Sequence, residues 1–394
     1  MTLRQKIEQE IRERGPMPFS RYMELCLYDP DLGYYSRNAE QFGKAGDFYT
    51  SSDVHAVFGR LLARQFEEMW RVLGSPERIE ILELGPGRGL FAQDVLDWSE
   101  KKFPDFFRAL HYRLEETSPV LRKRLQATLE RHFAAGKTSL CSASSTLGKG
   151  TTSLVPNKAT LARVLAPEIP VIVFANEFFD ALPVEVISPQ GELSLSEKDG
   201  RLVETWNAAS PEGLEFLDRY SVHPEDGERI EASLIAQRYM SLITATVKRG
   251  FMIAIDYGYT RQEQLAGRHR GTIATYRRHS ESANPYERPG EQDITAHVNF
   301  TALAAAAEQG GMQVQPLLTQ SQFLLGIGEH NQFADAFEEC RLPQERAKVA
   351  LQLKHLITPT GMGESFHVFI ASKDIDTVQV SRLSGLMFGK TARP

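Results

Sequence analysis

Four small groups of residues carry the chemistry legible in this chain. Gly85, Gly87 and Gly89, with Pro86 between the first two, close an apolar run over 79–84 in which Glu83 is the one late carboxylate. Glycines at such a turn let the backbone approach a ligand with no Cβ in the way, and the helix start that follows offers free N–H groups. By geometry this is a nucleotide or cofactor site. The dinucleotide fingerprint needs its third glycine where Leu90 stands, and a carboxylate at Glu83 repels a pyrophosphate while suiting a cation. The second group ends the next apolar run: Glu115 and Glu116 precede Thr117-Ser118-Pro119. A carboxylate there accepts hydrogen bonds from ribose hydroxyls; Glu116 is favoured because it adjoins the helix start, and a solvent-facing strand-end Glu is the alternative. In the third group, the apolar stretch 171–175 runs straight into Asn176-Glu177-Phe178-Phe179-Asp180, which is costly unless the polar groups bind something. If the turn is helical, Glu177 and Asp180 share a face, and two carboxylates clamp a guanidinium fork. Helix capping by Asn176 with solvated acids is the alternative. The fourth group is Asp293 and His297, at i and i+4 and compatible with one helical face; a packing or capping role for His297 is the alternative.

The elements that must position these groups follow from periodicity. Short apolar runs at 79–84, 112–116, 139–141, 171–176 and 251–256 alternate with helical patterns at 90–98, 119–133 and 228–248, the signature of parallel βαβ units. Leu3, Ile7 and Ile11 mark a first helix that Gly15-Pro16 stops, and Phe58, Leu61, Leu62, Phe66, Met69 and Trp70 give a core helix ending at Gly74. Between them, 28–52 is dense in Gly, Asp and aromatic residues and reads as a structured loop, with Tyr34, Tyr35 and Phe48 as candidate lid residues. The stretch 142–158 reads as an exposed loop. Its Gly148-Lys149-Gly150 fails as a phosphate loop, since Ala143 and Gly150 stand where Gly and Ser/Thr are required. The Arg-rich stretches Arg268-His269-Arg270 and Arg277-Arg278-His279 suit an acidic partner or, more commonly, a solvated face.

With those residues in hand, the glycine spacing resembles motif I of class I S-adenosylmethionine-dependent methyltransferases, whose donor has a cationic amino group and sulfonium and no phosphate. The chain as a whole is similar to the MidA family, bacterial and mitochondrial proteins related to the complex I assembly-factor arginine methyltransferase. The likeness runs through Gly15-Pro16-Met17-Pro18-Phe19, Leu27-Tyr28-Asp29-Pro30, Gly33-Tyr34-Tyr35 and Gly46-Asp47-Phe48-Tyr49-Thr50-Ser51. It continues through Glu83 to Gly89, Glu116-Thr117-Ser118-Pro119, Ala175 to Pro183, Ile255-Asp256-Tyr257-Gly258, and Gly290-Glu291-Gln292-Asp293-Ile294-Thr295-Ala296-His297-Val298. The resemblance implies an α/β fold, a Rossmann-like, mixed but mostly parallel sheet with an N-terminal cap and an inserted helical and loop subdomain. It implies S-adenosyl-L-methionine as donor and S-adenosyl-L-homocysteine as product. Glu83, Gly85, Pro86, Gly87, Gly89, Glu116 and Asn176 would then hold the cofactor. It also implies a protein acceptor, an arginine of a complex I subunit in the mitochondrial members. On that chemistry Glu177 with Asp180 or Asp293 would localise the guanidinium charge, and His297 would accept a proton. The region 139–154 departs from the family's pattern, which leaves the adenine contacts open.

Composition narrows the field. With 45 Lys and Arg against 51 Asp and Glu, the formal charge of −6 argues against a chain built to neutralise phosphates, so nucleic acid is not the expected acceptor. A hydrophobic fraction of 42% and charged fraction of 24% are those of a globular protein with a sizeable core. No apolar run approaches a membrane span. The three cysteines lie far apart, and the ten histidines form no H-x-H or H-x-x-x-H pair, so neither a disulfide framework nor a metal site is expected. The acidic residues within 1–14 are unlike a signal or transit peptide, and a bacterial cytoplasmic protein is the expectation. The 394 residues divide into a cap over 1–75, a first core part over 76–200, a helical insertion over 201–250, a core completion over 251–380 with a substrate-side insertion at 257–300, and a tail over 381–394. Two other readings stay open: a nicotinamide-dependent oxidoreductase, and an assembly scaffold that keeps the cofactor fold. Oligomeric state is not legible.

Overall fold

Apolar runs too short for helices become the strands of one central sheet. In a computed structural model that describes residues 1–37, 56–141, 168–277, 280–282, 284–329 and 331–388, they are β1 (Ile79–Leu84), β2 (Leu110–Glu115), β3 (Thr138–Leu140), β4 (Val171–Asn176), β5 (Gly250–Tyr259) and β6 (Phe366–Lys373). Their order across the sheet is β3-β2-β1-β4-β5-β6, with the two residues Gln313–Val314 beyond β6. The first five are parallel and β6 runs antiparallel to β5, the mixed, mostly parallel sheet expected from sequence. All six residues of β1 are buried, as covering both faces of a parallel sheet demands.

Strand periodicity splits the core. Ile79, Ile81, Ile172 and Phe174 face one side, against Phe58, Leu62 and Phe66 of the helix Val57–Val72 and Phe91 and Val95 of the helix Leu90–Lys102. Phe91 stacks on Phe174 with centroids 4.5 Å apart. Leu82, Leu84, Val171 and Val173 face the other side, against Tyr239, Met240 and Ile243 of the helix Leu234–Thr246 and Leu303 and Ala306 of the helix Phe300–Gln309.

A third core lies outside the sheet and revises the expected segmentation. Ile7, Ile11, Tyr22 and Leu27, from the helices Leu3–Arg14 and Phe19–Tyr28, pack with Val186, Leu193, Leu195 and Ile294. Met17–Pro18 joins a five-stranded sheet with Glu185–Ser188, Gly191–Lys198, Arg201–Asn207 and Ile230–Ala232. The cap therefore draws on the chain after β4, while Val57–Val72 belongs to the central core. The stretch 201–250 is not all helix: Arg201–Asn207 pairs with Gly191–Lys198, and Ile230 pairs with Ile187, so the helix expected from 228 begins only at Leu234. The loop 142–158, Phe48, Arg278, His279 and the end of the tail, 389–394, lie outside the described residues.

Candidate active site

In an open α/β sheet, ligands bind beyond the carboxyl ends of the strands, where the strand order reverses. Here that point is β1, flanked by β2 on one side and β4 on the other. A cavity of about 830 Å³ opens there, in the size range of small-molecule sites. Gly85, Pro86 and Gly87 line its floor, while Gly89 caps the helix behind them against Leu125 and Leu129; Gly85, Gly87 and Gly89 all take left-handed backbone, with φ of 62°, 53° and 77°. A Cβ on Gly85 would stand 2.9 Å from the ring of Phe178, so the tight turn needs glycine both for conformation and for space.

The carboxylates of the first two groups face the same cavity. Glu83 is buried, 4% exposed, and accepts a hydrogen bond from Tyr112 Oη at 3.0 Å. Burial pushes its carboxyl up to about 8. Glu116 accepts the Ser118 N–H at 2.8 Å, and burial holds it at about 7. Glu115, the last residue of β2, lines the cavity as well, so the structure brings both candidates of that pair to it.

Beyond β4 the chain makes a turn held by a residue absent from the sequence-derived set. Asp256, near the end of β5, accepts N–H bonds at Oδ2 from Phe178, Phe179 and Asp180, at 3.2, 3.0 and 3.3 Å. Burial, with Asp180 and Glu177 close by, drives its carboxyl well above the ordinary range. The 176–180 turn is therefore not the first turn of a helix. Glu177 sits at φ 50°, a left-handed conformation that side chains other than glycine adopt at a cost and that clusters at functional sites. Asn176 Nδ2 donates to Glu177 Oε1 at 3.1 Å, leaving Asn176 Oδ1 buried without a partner. Asp180 accepts a hydrogen bond from Tyr257 Oη, while its Oδ1 is buried and unpaired. Burial raises Asp180 to about 6.

The pair Asp293 and His297 is not on a helix. Asp293–Thr295 pairs antiparallel with Ala274–Arg277, so alternation brings Asp293 and Thr295 to the cavity, and His297, in the link to Val298–Asn299, lines it as well. Tyr35 Oη donates to Asp293 Oδ1 at 3.1 Å, and Tyr28 Oη to the Ala181 carbonyl at 3.0 Å. Of the candidate lid residues, Tyr35 lines the cavity, whereas Tyr34 is buried in the cap core. His269 also faces the cavity, and its neighbour Arg270 pairs with Glu228 at 2.5 Å, so this Arg-rich stretch is not a simple solvated face. Asp256, Tyr257, His269 and His367 escaped the sequence reading as site residues. For Asp256 and Tyr257, the available signals are polar groups inside a buried apolar strand and their place in the family-like segment Ile255-Asp256-Tyr257-Gly258.

The residues present fit a cationic nucleoside ligand: a glycine cradle, carboxylates at two strand ends, and buried acceptors without partners. Comparison with known proteins decides the family. The S-adenosyl-L-methionine-dependent methyltransferase family Methyltransf_28 matches residues 61–318. The chain belongs to this family. A COG1565 superfamily member from Burkholderia thailandensis, crystallised with S-adenosyl-homocysteine, is 28% identical, with a TM-score of 0.78 over 96% of this chain and 94% of its own. Among curated proteins, the mitochondrial protein arginine methyltransferase NDUFAF7 homolog of Drosophila melanogaster is 29% identical, covering 93% of this chain and 83% of its own. The human mitochondrial protein arginine methyltransferase NDUFAF7 is 26% identical over 91% and 81%. The methyltransferase uses S-adenosylmethionine as its methyl donor. No helix among the described residues is long and apolar enough to cross a membrane.

Proposed function

We propose that this methyltransferase modifies an arginine side chain of a protein, with a respiratory complex I subunit as the first acceptor to test. The observation that carries the reading is the carboxylate wall beyond the glycine turn, where Glu177, Asp180 and Asp293 line one cavity and Asp180 Oδ1 is buried without a partner. A guanidinium stays protonated in water, with a pKa above about 12. Carboxylates on two of its nitrogens concentrate the charge there and leave the third nitrogen's electron pair free to attack. Bound at the glycine turn, S-adenosylmethionine supplies an electrophilic methyl on a sulfonium. Glu83 would hold the ligand's ammonium, Glu116 its ribose hydroxyls, and Asn176 Oδ1 one of its N–H donors. Tyr257 Oη occupies one oxygen of Asp180, and the other has no partner in the unliganded protein. Proximity and exclusion of water supply the remaining rate. The curated relatives are named protein arginine methyltransferases, which supports an arginine of a protein as acceptor.

The test is incubation with methyl-labelled S-adenosylmethionine and lysate from a deletion strain, followed by mass spectrometry of the labelled product. Label on arginine, lost in Glu177→Gln and Asp180→Asn, is expected. Label on lysine, a small molecule or nucleic acid would overturn the reading.

A further inference from the structure

The cavity has a second wall that the carboxylate chemistry leaves unused. His269, His297 and His367, from three separate segments, meet there. His269 Nδ1 lies 3.1 Å from His297 Nδ1. A neutral imidazole carries one N–H and one lone pair, so an Nδ1-to-Nδ1 hydrogen bond requires one ring protonated at Nδ1 and the other bare there. The ring that donates from Nδ1 keeps its Nε2 lone pair free. When that Nε2 takes a proton, the pair becomes an imidazolium donating to an imidazole, and the hydrogen bond survives.

The two rings sit in different surroundings. His269 is held at φ 54°, its ring stacked on Tyr259 with centroids 5.2 Å apart and its carbonyl accepting from Gln264 Nε2 at 3.1 Å. His297 meets the ring of Tyr257 edge-on at 5.4 Å, and the hydroxyl of that same tyrosine donates to Asp180. Tyr257 thus spans the distance from the carboxylate wall to the histidine pair. The other titratable groups facing the pair are Glu263 and Arg268 beside His269, His367 beside both rings, and Glu364 beside His367. Burial, with His269 and His367 nearby, holds His297 down at about 4, so it is neutral at working pH.

We propose that His269 is a positioning residue that fixes the Nδ1–H tautomer of His297, leaving His297 Nε2 as the acceptor of the proton released by methyl transfer. This rests on the arginine reading above. In the balanced step the nitrogen–methyl bond forms as the methyl–sulfur bond breaks. One proton leaves the guanidinium for His297 Nε2 and passes from there to water; nothing is oxidised or reduced.

Long-range 1H–15N correlation spectra of the full chain, labelled with 15N-histidine and saturated with S-adenosylhomocysteine, read each ring's tautomer without turnover. His297 should be in the Nδ1–H form in the wild type. It should stay so in His269→Asn, whose amide oxygen reaches the place of Nδ1, and lose that preference in His269→Ala and His269→Gln. With an arginine acceptor, His269→Ala should lower kcat at least tenfold and alter the acid limb of its pH profile at unchanged donor KM, and His269→Asn should restore both. Unchanged S-adenosylhomocysteine affinity shows that each variant is folded. Any other tautomer of His297 in the wild type overturns the proposal, as does a His269→Ala protein that keeps both tautomer and pH profile. A wild type with the expected tautomer and no arginine methylation overturns the arginine reading instead.

Discussion

Raising the pH from 6 to 8 should tighten S-adenosylhomocysteine binding, and Glu83 is the residue responsible. Burial holds its carboxyl at about 8 in the unliganded protein, opposed by the hydrogen bond from Tyr112. A ligand ammonium set against Glu83 favours the ionised form, so binding must expel its proton. From a value near 8, roughly 1% of Glu83 is ionised at pH 6 and roughly half at pH 8. If the bound form stays ionised throughout, the affinity rises roughly fifty-fold, or about 2.3 kcal/mol. Glu116, held at about 7, acts in the same direction. Calorimetric titration at several pH values, in two buffers of different ionisation enthalpy, reads both the affinity and the protons released. Glu83→Gln should flatten most of the dependence. The same shift governs stability. Between the ordinary glutamate value and about 8, the folded unliganded protein binds this proton more tightly than the unfolded chain does. Its stabilising contribution is therefore complete below about pH 4.3 and is lost as the pH rises through the folded value. An affinity that is flat or falls from pH 6 to 8, with no proton release, would refute the assigned role of Glu83.

Other perturbations separate turn, catalysis and core. Gly85→Ala forces a Cβ into left-handed backbone 2.9 Å from Phe178; destabilisation of about 2–3 kcal/mol in urea unfolding and at least tenfold weaker ligand binding are expected. Asp180→Asn should leave S-adenosylhomocysteine affinity within about twofold while lowering kcat about a hundredfold in a radiometric transfer assay. Tyr257→Phe removes a hydrogen bond that pulls Asp180 down toward ionisation, so the acid limb of the kcat profile should move to higher pH. Phe174→Ala, in the fully buried stack with Phe91, should cost about 3–5 kcal/mol by denaturant unfolding, with the site chemistry otherwise unchanged.

What the sequence determines by itself is local. The run 79–84 carries apolar residues on both faces, and glycines at 85, 87 and 89 follow it, so a buried parallel strand ending in a candidate ligand-binding turn is legible without any partner. Asn176, Glu177 and Asp180 are equally legible as a candidate site, because polar groups directly after a buried strand need a reason to be there. Element type within short segments is not local. The spacing of Asp293 and His297 allows a helix as well as a strand, and only the pairing of Asp293–Thr295 with Ala274–Arg277 decides between them. The helix expected from 228 gives way because Ile230–Ala232 finds a partner in Glu185–Ser188, a choice that cross-strand burial makes and propensity does not. Asp256 gathers three N–H groups from a turn 76 to 78 residues away, and His269 meets His297 across 28 residues. Their roles follow from β5 lying beside β4 and from the insertion folding back over the cavity. No pattern along the chain records such contacts, since each residue alone reads as strand end or loop.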